Sequence, residues 1–353
     1  MSQVKVGIIG LGQVAQIIHL PILRPMPDQY EIAALCDVSE GLLHAVGGDY
    51  GVVRRYTDAA DLVAQDDIDA VFVLNSDEYH AEHTVLAARA GKHVLVEKPM
   101  CLTLREAEEI VAARDTGGVQ VMVAYMRRFA PAFVEAVKQV RQLERIDYVR
   151  VRDIIGQNVL IIEQSSRVHW FDDIPSAAKA DRADRARSLV IEAIGELRAE
   201  LVTTYRMLLG LGSHDLSAMR ELIGVPQRVV AAAQWNGGRF MTAIFEYDGF
   251  NATFEIGVDR QRRFDAHLEV YGDTRQIRVQ YNTPFIRHLP TTLVIGETIG
   301  DAYNETIHRP TYKDPYTHEL EVFHTVATGK ATPKTLPEDS MEDLRLFREI
   351  IDV

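Results

Sequence analysis

Cysteine is nearly missing: the 353 residues include two, Cys36 and Cys101. Two thiols cannot form a disulfide framework, so the chain is expected to be a reduced, cytoplasmic protein. A chain this long buries about three-quarters of its unfolded surface and needs no disulfide or metal staple. Long apolar runs are missing too. The longest uncharged stretch, Val6 to Leu23, just reaches membrane-spanning length, but it carries Gln13, Gln16, His19, Pro21 and three glycines. It fails as an apolar span, and without a basic leader and cleavage site no secretory signal is expected. Positive charge is scarce, with 38 Lys and Arg against 51 Asp and Glu, a net of −13. A nucleic-acid footprint needs clustered bases, so no nucleic-acid partner is expected. Repeats and low-complexity tracts are missing. So is a metal-ligand set: His80 and His83 lie three apart without a companion cluster and are expected on a helix surface, so no metal is expected.

The composition that remains, 47% apolar and 25% charged, is globular, and a prior of about 150 residues per domain predicts two domains. Residues 1–125 alternate short apolar runs with amphipathic segments. The runs are Val4–Ile9, Ile32–Cys36, Ala70–Leu74, His93–Val96 and Val119–Ala124. Continuous apolar runs suit strands buried on both faces, and their alternation with helices predicts a doubly wound parallel sheet. Strand-like runs linked by turn signals return from Arg228 to Tyr281 and predict an antiparallel sheet in a second domain, residues 126–353. Helical segments near Pro315–Thr328 and Glu338–Ile350 close the chain. The acidic excess is uneven: residues 1–125 hold 9 bases against 18 acids, and residues 126–353 hold 29 against 33.

Ser176–Leu201 is predicted as one helix, with Ala186, Val190, Ala193, Leu197 and Leu201 as its apolar stripe. Its bases (Lys179, Arg182, Arg185, Arg187) precede its acids (Glu192, Glu196, Glu200), the reverse of the order the helix dipole favours. Either the helix is solvated with one buried face, or it pairs antiparallel with a second copy about a two-fold axis.

Gly10-Leu11-Gly12-Gln13-Val14-Ala15 follows the first run and opens a helical segment. In a Gly-x-Gly-x-x-Ala turn the first Gly makes the bend, the second admits a pyrophosphate to the backbone, and the small third residue lets helix and strand pack. The helix N-terminus offers amides and a positive dipole to the phosphates. Asp37 ends the second run, 22 residues after Ala15, where an acid binds a ribose 2′-hydroxyl. Val38 and Ser39 follow it, not a base, so NAD is favoured over NADP. Glu97-Lys98-Pro99 ends the fifth run, at the carboxyl end of a strand, where ligands sit. Position alone leaves Lys98 as either a surface cation or a general acid–base group. His214, in Gly212-Ser213-His214-Asp215, is likewise either a helix-start residue or a chemical one.

Together these segments resemble the Gfo/Idh/MocA oxidoreductases, as do Ala90-Gly91-Lys92-His93 before Glu97-Lys98-Pro99, Tyr125-Met126-Arg127-Arg128-Phe129-Ala130-Pro131, and Asp314-Pro315-Tyr316 with Glu319, Leu320 and Phe323. The resemblance spans nearly the whole chain. It implies an N-terminal Rossmann domain and a C-terminal α+β domain whose large open antiparallel sheet commonly builds homodimers or homotetramers. It implies hydride transfer between NAD(P) and a secondary alcohol of a sugar, cyclitol or polyol. Lys98 would deprotonate the hydroxyl and His214 would relay the proton. Gly10, Gly12, Gln13, Val14, Ala15, Asp37, Asn75, Glu97 and Lys98 would hold the cofactor, and Lys98 and His214 would face the substrate; Arg127, and Asp153 and His169 from the long region before His214, are further substrate-binding candidates read from the residues themselves.

Two departures stand out. The family's Asp four residues before the His is Gly210 here, and its Thr-Pro-Asn is Asn75-Ser76-Asp77. Either His214 works alone, or an acid from the 153–173 region replaces the missing one, or the activity is not plain dehydrogenation. A redox-neutral enzyme that cycles bound NAD and a non-catalytic sensor stay open as alternatives. Residues 153–206 form an atypically long insertion before His214.

Overall fold

In the computed structural model, which describes residues 3–195 and 198–353, the early apolar runs are strands. They are β1 (Val4–Ile9), β2 (Tyr30–Cys36), the short β3 (Arg55–Tyr56), β4 (Ala70–Val73), β5 (His93–Glu97) and β6 (Val121–Ala124). All pair in parallel, in the order β3-β2-β1-β4-β5-β6. Every residue of β4 and β6 is buried, as strands covered on both faces require. The order reverses between β1 and β4, which opens a crevice beyond their carboxyl ends.

Helices α1 (Leu20–Leu23), α2 (Glu40–Tyr50), α3 (Ala59–Val63), α4 (His80–Arg89) and α5 (Leu104–Gly117) alternate with these strands, and a π-helical turn, Ala15–His19, precedes α1. α5 starts on a capping box: the Thr103 hydroxyl accepts from Glu106 N, and the Glu106 carboxylate accepts from Thr103 N. Farther along lie α6 (Pro131–Val140), α7 (Val159–Ser165), α8 (Ser176–Ile194), α9 (Ala199–Met207), α10 (Ser213–Ile223), α11 (Pro315–Ala327) and α12 (Pro337–Asp352). Among the described residues no helix is long and apolar enough to cross a membrane.

The chain forms two compact units, each discontinuous in sequence. The first comprises Met1–Ala124, Ser166–Gly195 and Glu319–Leu344, and the second comprises Tyr125–Ser165, Glu196–His318 and Arg345–Val353. Residues 319–344 complete the first core. Phe323 meets Phe72 edge-on at 5.4 Å, the Tyr30 hydroxyl donates to Leu320 O at 2.6 Å, and Val123 N donates to Thr335 O at 2.9 Å.

The helix predicted over 176–201 ends early. Gly195 takes a left-handed φ of 64° and its N–H closes on Ile191 O, a C-cap that stops α8 at Ile194. Glu196 and Leu197 lie outside the described residues. The charges of α8 find partners within the first unit: Arg182 pairs with Glu78, Arg185 with Asp181 and Glu82, and Glu192 with Arg105. Its reversed charge order therefore has an account within one chain.

In the second unit eight strands form one sheet: β7 (Ile146–Ile155), β8 (Arg228–Trp235), β9 (Phe240–Glu246), β10 (Asn251–Val258), β11 (Phe264–Gly272), β12 (Arg275–Tyr281), β13 (Thr292–Ile299) and β14 (Ala302–His308). Their order is β14-β13-β12-β11-β7-β10-β9-β8. The expected antiparallel sheet is mixed at one place, where β7 and β10 run parallel. One face is apolar. The other is polar: Arg150 and Arg152 of β7 both bond Glu255 of β10, at 2.9 and 3.0 Å.

Candidate active site

Gly10 leaves β1 at a φ of 94°, and its N–H donates to Cys36 O of β2 at 2.8 Å. A Cβ there would stand 2.4 Å from Asn75 N, so the first glycine is required by the protein itself. Gly12 differs. A Cβ at Gly12 would meet no atom of the described residues within 4 Å, so its smallness answers no packing need within the chain. Ala15 is fully buried, while Gln13 and Val14 are half-buried. The Asp37 carboxylate accepts from Leu11 N at 2.7 Å and from Ser39 N at 2.9 Å, tying the end of β2 to the glycine turn. Burial raises the Asp37 pKa against the pull of these two amides, and the nearby Asp173 adds to the rise.

Asn75 follows β4 against Gly10. Its amide donates to His83 Nδ1 at 3.0 Å, and its buried Oδ1 has no hydrogen-bond partner among the described residues. Burial drives His83 down to about 4, so it is neutral and free to accept that bond. An open backbone at Gly12, an unmatched acceptor at Asn75 and the Asp37 carboxylate at the end of β2 together fit a dinucleotide across the ends of β1, β2 and β4.

β5 delivers Glu97 and Lys98. Glu97 is buried; its Oε1 lies 2.8 Å from His19 Nε2, and its Oε2 accepts from Lys98 N at 3.1 Å. Burial raises the Glu97 pKa, but His19, Lys98 and His80 outweigh it and hold the carboxyl below its ordinary value. His80 is buried as well, with Nδ1 2.7 Å from Pro99 O and Nε2 3.0 Å from Asn75 O. The ring thus bridges the turn after β4 and the turn after β5, on which Lys98 sits. His80, expected on a helix surface, is instead an internal brace. Lys98 is half-buried on the same side of the sheet as the glycine turn.

In the second unit His214 is buried in the first turn of α10, whose Ser213 hydroxyl donates to Leu209 O at 2.8 Å. A Cβ at Gly210 would meet nothing within 4 Å among the described residues. Arg127, Asp153 and Asp215 form a buried cluster. The guanidinium donates to Asp153 at 2.8 Å and to Asp215, and lies 4.8 Å from the Tyr281 ring centre. With both acids ionised the cluster would carry −1. Burial and the neighbouring Asp153 push Asp215 well above the ordinary carboxyl value despite Arg127, a rise that favours one proton on Asp215 and a neutral cluster. Asp153 Oδ1 and Asp215 Oδ2 have no hydrogen-bond partner among the described residues. Arg127 and Asp153, expected to face a substrate, are therefore bonded to each other and to Asp215. Asp153 is not a spare acid that could replace the one missing at residue 210.

His169, the remaining substrate candidate, belongs to the first unit, with Nε2 2.8 Å from Asp49 Oδ2 and its backbone N–H donating to Gln16 Oε1 at 2.8 Å. Sequence reasoning missed Gln16, His19, His80 and Asp173, because each acts through a partner distant in sequence. Only Gln16, beside the glycine motif, had a local signal.

Residues 4–125 match the family described as oxidoreductase family, NAD-binding Rossmann fold. An inositol 2-dehydrogenase of Salmonella typhimurium is 31% identical over 271 residues, covering 76% of this chain and 71% of that protein. The aldose-aldose oxidoreductase from Caulobacter crescentus, solved with glycerol, shares the fold at a TM-score of 0.74 and 21% identity, covering 99% of this chain and 97% of that one. The 3-ketoreductase KijD10 from Actinomadura kijaniata, solved with TDP-benzene and NADP, does so at 0.73 and 18%, covering 99% and 96%. With its glycine turn, Asp37 and Glu97-Lys98-Pro99 turn in one parallel sheet, the chain belongs to the Gfo/Idh/MocA family of NAD(P)-binding oxidoreductases.

Proposed function

We propose that this protein is an NAD-dependent dehydrogenase that oxidises a secondary hydroxyl of a sugar, a cyclitol or a related polyol. The observation that carries the reading is the open backbone at Gly12 between Asp37 and the Lys98 turn. When bound, the nicotinamide accepts or returns a hydride. The chain's own residues do the rest. Gly10, Gly12, Gln13, Val14 and Ala15 present backbone to the pyrophosphate, Asp37 takes the ribose hydroxyls, and Asn75 and Glu97 border the nicotinamide end. Lys98 takes the hydroxyl proton of the substrate at Nζ, held in place by Glu97 below it and by His80 on the Pro99 carbonyl. His214 is the second proton-handling group. Arg127 and Asp153 act indirectly: together with Asp215 they fix the first turn of α10, which carries His214. The similarity to an inositol 2-dehydrogenase favours a neutral cyclitol or sugar as substrate.

The test is absorbance of reduced nicotinamide across a panel of cyclitols and sugars. Substitution Lys98→Ala should lower turnover by about 10²–10⁴, and near-normal turnover would remove Lys98 from the mechanism. Both cysteines are buried free thiols, which supports the cytoplasm as the compartment. A homodimer or homotetramer through the polar face of the eight-stranded sheet is the proposed assembly, and a single-chain mass by light scattering would rule it out.

A further inference from the structure

Residues 166–175, far from the glycine motif in sequence, run from the glycine turn to the start of α2 and are fastened there at three points. Gln16 pairs with both sides of the His169 backbone: its amide donates to His169 O at 3.2 Å, and its carbonyl accepts from His169 N at 2.8 Å. The same amide donates to Leu11 O, inside the glycine turn, at 2.7 Å. Phe171 lies over Gly41, where a Cβ would stand 2.5 Å from its ring. Asp173 then sets its carboxylate on the first turn of α2, accepting from the Ser39 hydroxyl at 2.6 Å and from Gly41 N at 2.7 Å. Ser39 is shared, because its N–H donates to Asp37 at 2.9 Å.

Those donors matter for one part of a dinucleotide. The acid at the end of the second strand marks where the adenosine ribose lies, and a 2′-phosphate would extend past it. The amides and dipole at the start of the next helix, with a serine hydroxyl, are what such a phosphate needs. Here the protein has filled that place with a carboxylate of its own. We propose that Asp173 is a specificity-determining residue for the cofactor: seated on the first turn of α2 beside Asp37, it keeps a 2′-phosphate out and selects NAD(H). The inference rests on the dinucleotide reading given above. A 2′-phosphate would have to displace Asp173 from Ser39 and Gly41 and then face Asp37, whereas a ribose hydroxyl needs neither step. Lys179, whose charge acts on Asp173, is itself paired with Asp172 at 2.8 Å. Its bonds to Ser39 and Gly41 hold Asp173 below the ordinary carboxylate pKa, so it is charged at neutral pH.

The experiment is equilibrium binding of NAD⁺ and NADP⁺ to the full chain, by calorimetry, for the unaltered protein and for Asp173→Ala, Asp173→Asn and Asp172→Asn. The unaltered protein should bind NAD⁺ more tightly by about tenfold or more, since a like charge at the contact costs at least that much. Asp173→Ala should tighten NADP⁺ by about tenfold and change NAD⁺ by less than about threefold. Asp173→Asn should move the ratio the same way by less, because the amide still fills the turn, and Asp172→Asn, which frees Lys179 but leaves the Asp173 carboxylate in place, should move it by less than Asp173→Ala. An unchanged ratio in Asp173→Ala, equal weakening of both dinucleotides, or a preference of the unaltered protein for NADP⁺ overturns the proposal. Failure of the unaltered protein to bind either dinucleotide overturns the cofactor reading itself, a different and separable result.

Discussion

Arg127→Met removes the one cation from a site whose guanidinium is 3% exposed and whose two carboxyls, Asp153 and Asp215, are 0% exposed. Taking one partner from a buried ion pair costs about 3–5 kcal/mol, because the other charge is left without compensation. The raised Asp215 pKa gives this loss a pH dependence of definite sign. The Asp215 pKa is raised in the folded chain. From the unfolded carboxyl value up to that native value, the folded state holds a proton the unfolded state has released, so stability falls as pH rises, by up to about 1.4 kcal/mol per pH unit. Without Arg127 both acids must stay protonated, and the slope should approach twice that figure. Asp215→Asn replaces the protonated acid with a neutral group of the same shape, which can still accept from Arg127 and donate to Asp153. It should cost less than about 1 kcal/mol and flatten the slope. Urea unfolding followed by fluorescence from pH 5 to 8.5 separates the variants. If Asp215→Asn costs as much as Arg127→Met, or if the Arg127→Met loss is uniform across pH, the one-proton cluster is wrong.

Gly10→Ala should lose about 1–3 kcal/mol of stability, from its φ of 94° and the 2.4 Å approach to Asn75, read by thermal unfolding. Gly12→Ala, with nothing to strike, should keep stability within about 0.5 kcal/mol yet weaken NAD⁺ binding by about tenfold or more. The His83 pKa falls from 6.5 to about 4 on folding, so the unfolded chain takes up that proton first and stability drops as pH falls between those values. His83→Gln keeps an acceptor for Asn75 and should remove that part of the acid sensitivity in unfolding curves at pH 4.5 and 7. Glu97→Gln should lower turnover and cost about 1–3 kcal/mol, since His19 loses its charged partner, with most of the cost lost below the carboxylate range.

What could be seen in the sequence was local. The glycine turn, Asp37 and Lys98 each sit at the end of an uninterrupted apolar run, and a run buried on both faces announces itself without long-range information. α2 escaped notice because Gly41, Gly47 and Gly48 dilute its helical pattern. β14 carries no alternation to detect, because all seven of its residues are exposed. Roles set by pairing were hidden for another reason. His19 meets Glu97 across 78 residues, and Asp173 meets Ser39 across 134. Arg127 and Asp153 have the composition of a substrate-binding pair, and only Asp215, 88 residues beyond Arg127, shows that their charges are already matched.

The return of residues 319–344 to the first unit carries a cost in time. Tyr30 waits for Leu320 across 290 residues, and at about 5–20 residues per second a ribosome takes roughly 15–60 s to deliver it. Through that interval Phe72 has the rings of His19 and Tyr30 against it but lacks Phe323, the one at 5.4 Å. A nucleotide domain cut at its apparent end would stay in that condition permanently. The portable fragment suggested by the motif would therefore be a sticky one, and any nucleotide-binding piece of this protein needs residues 319–344 to close its core.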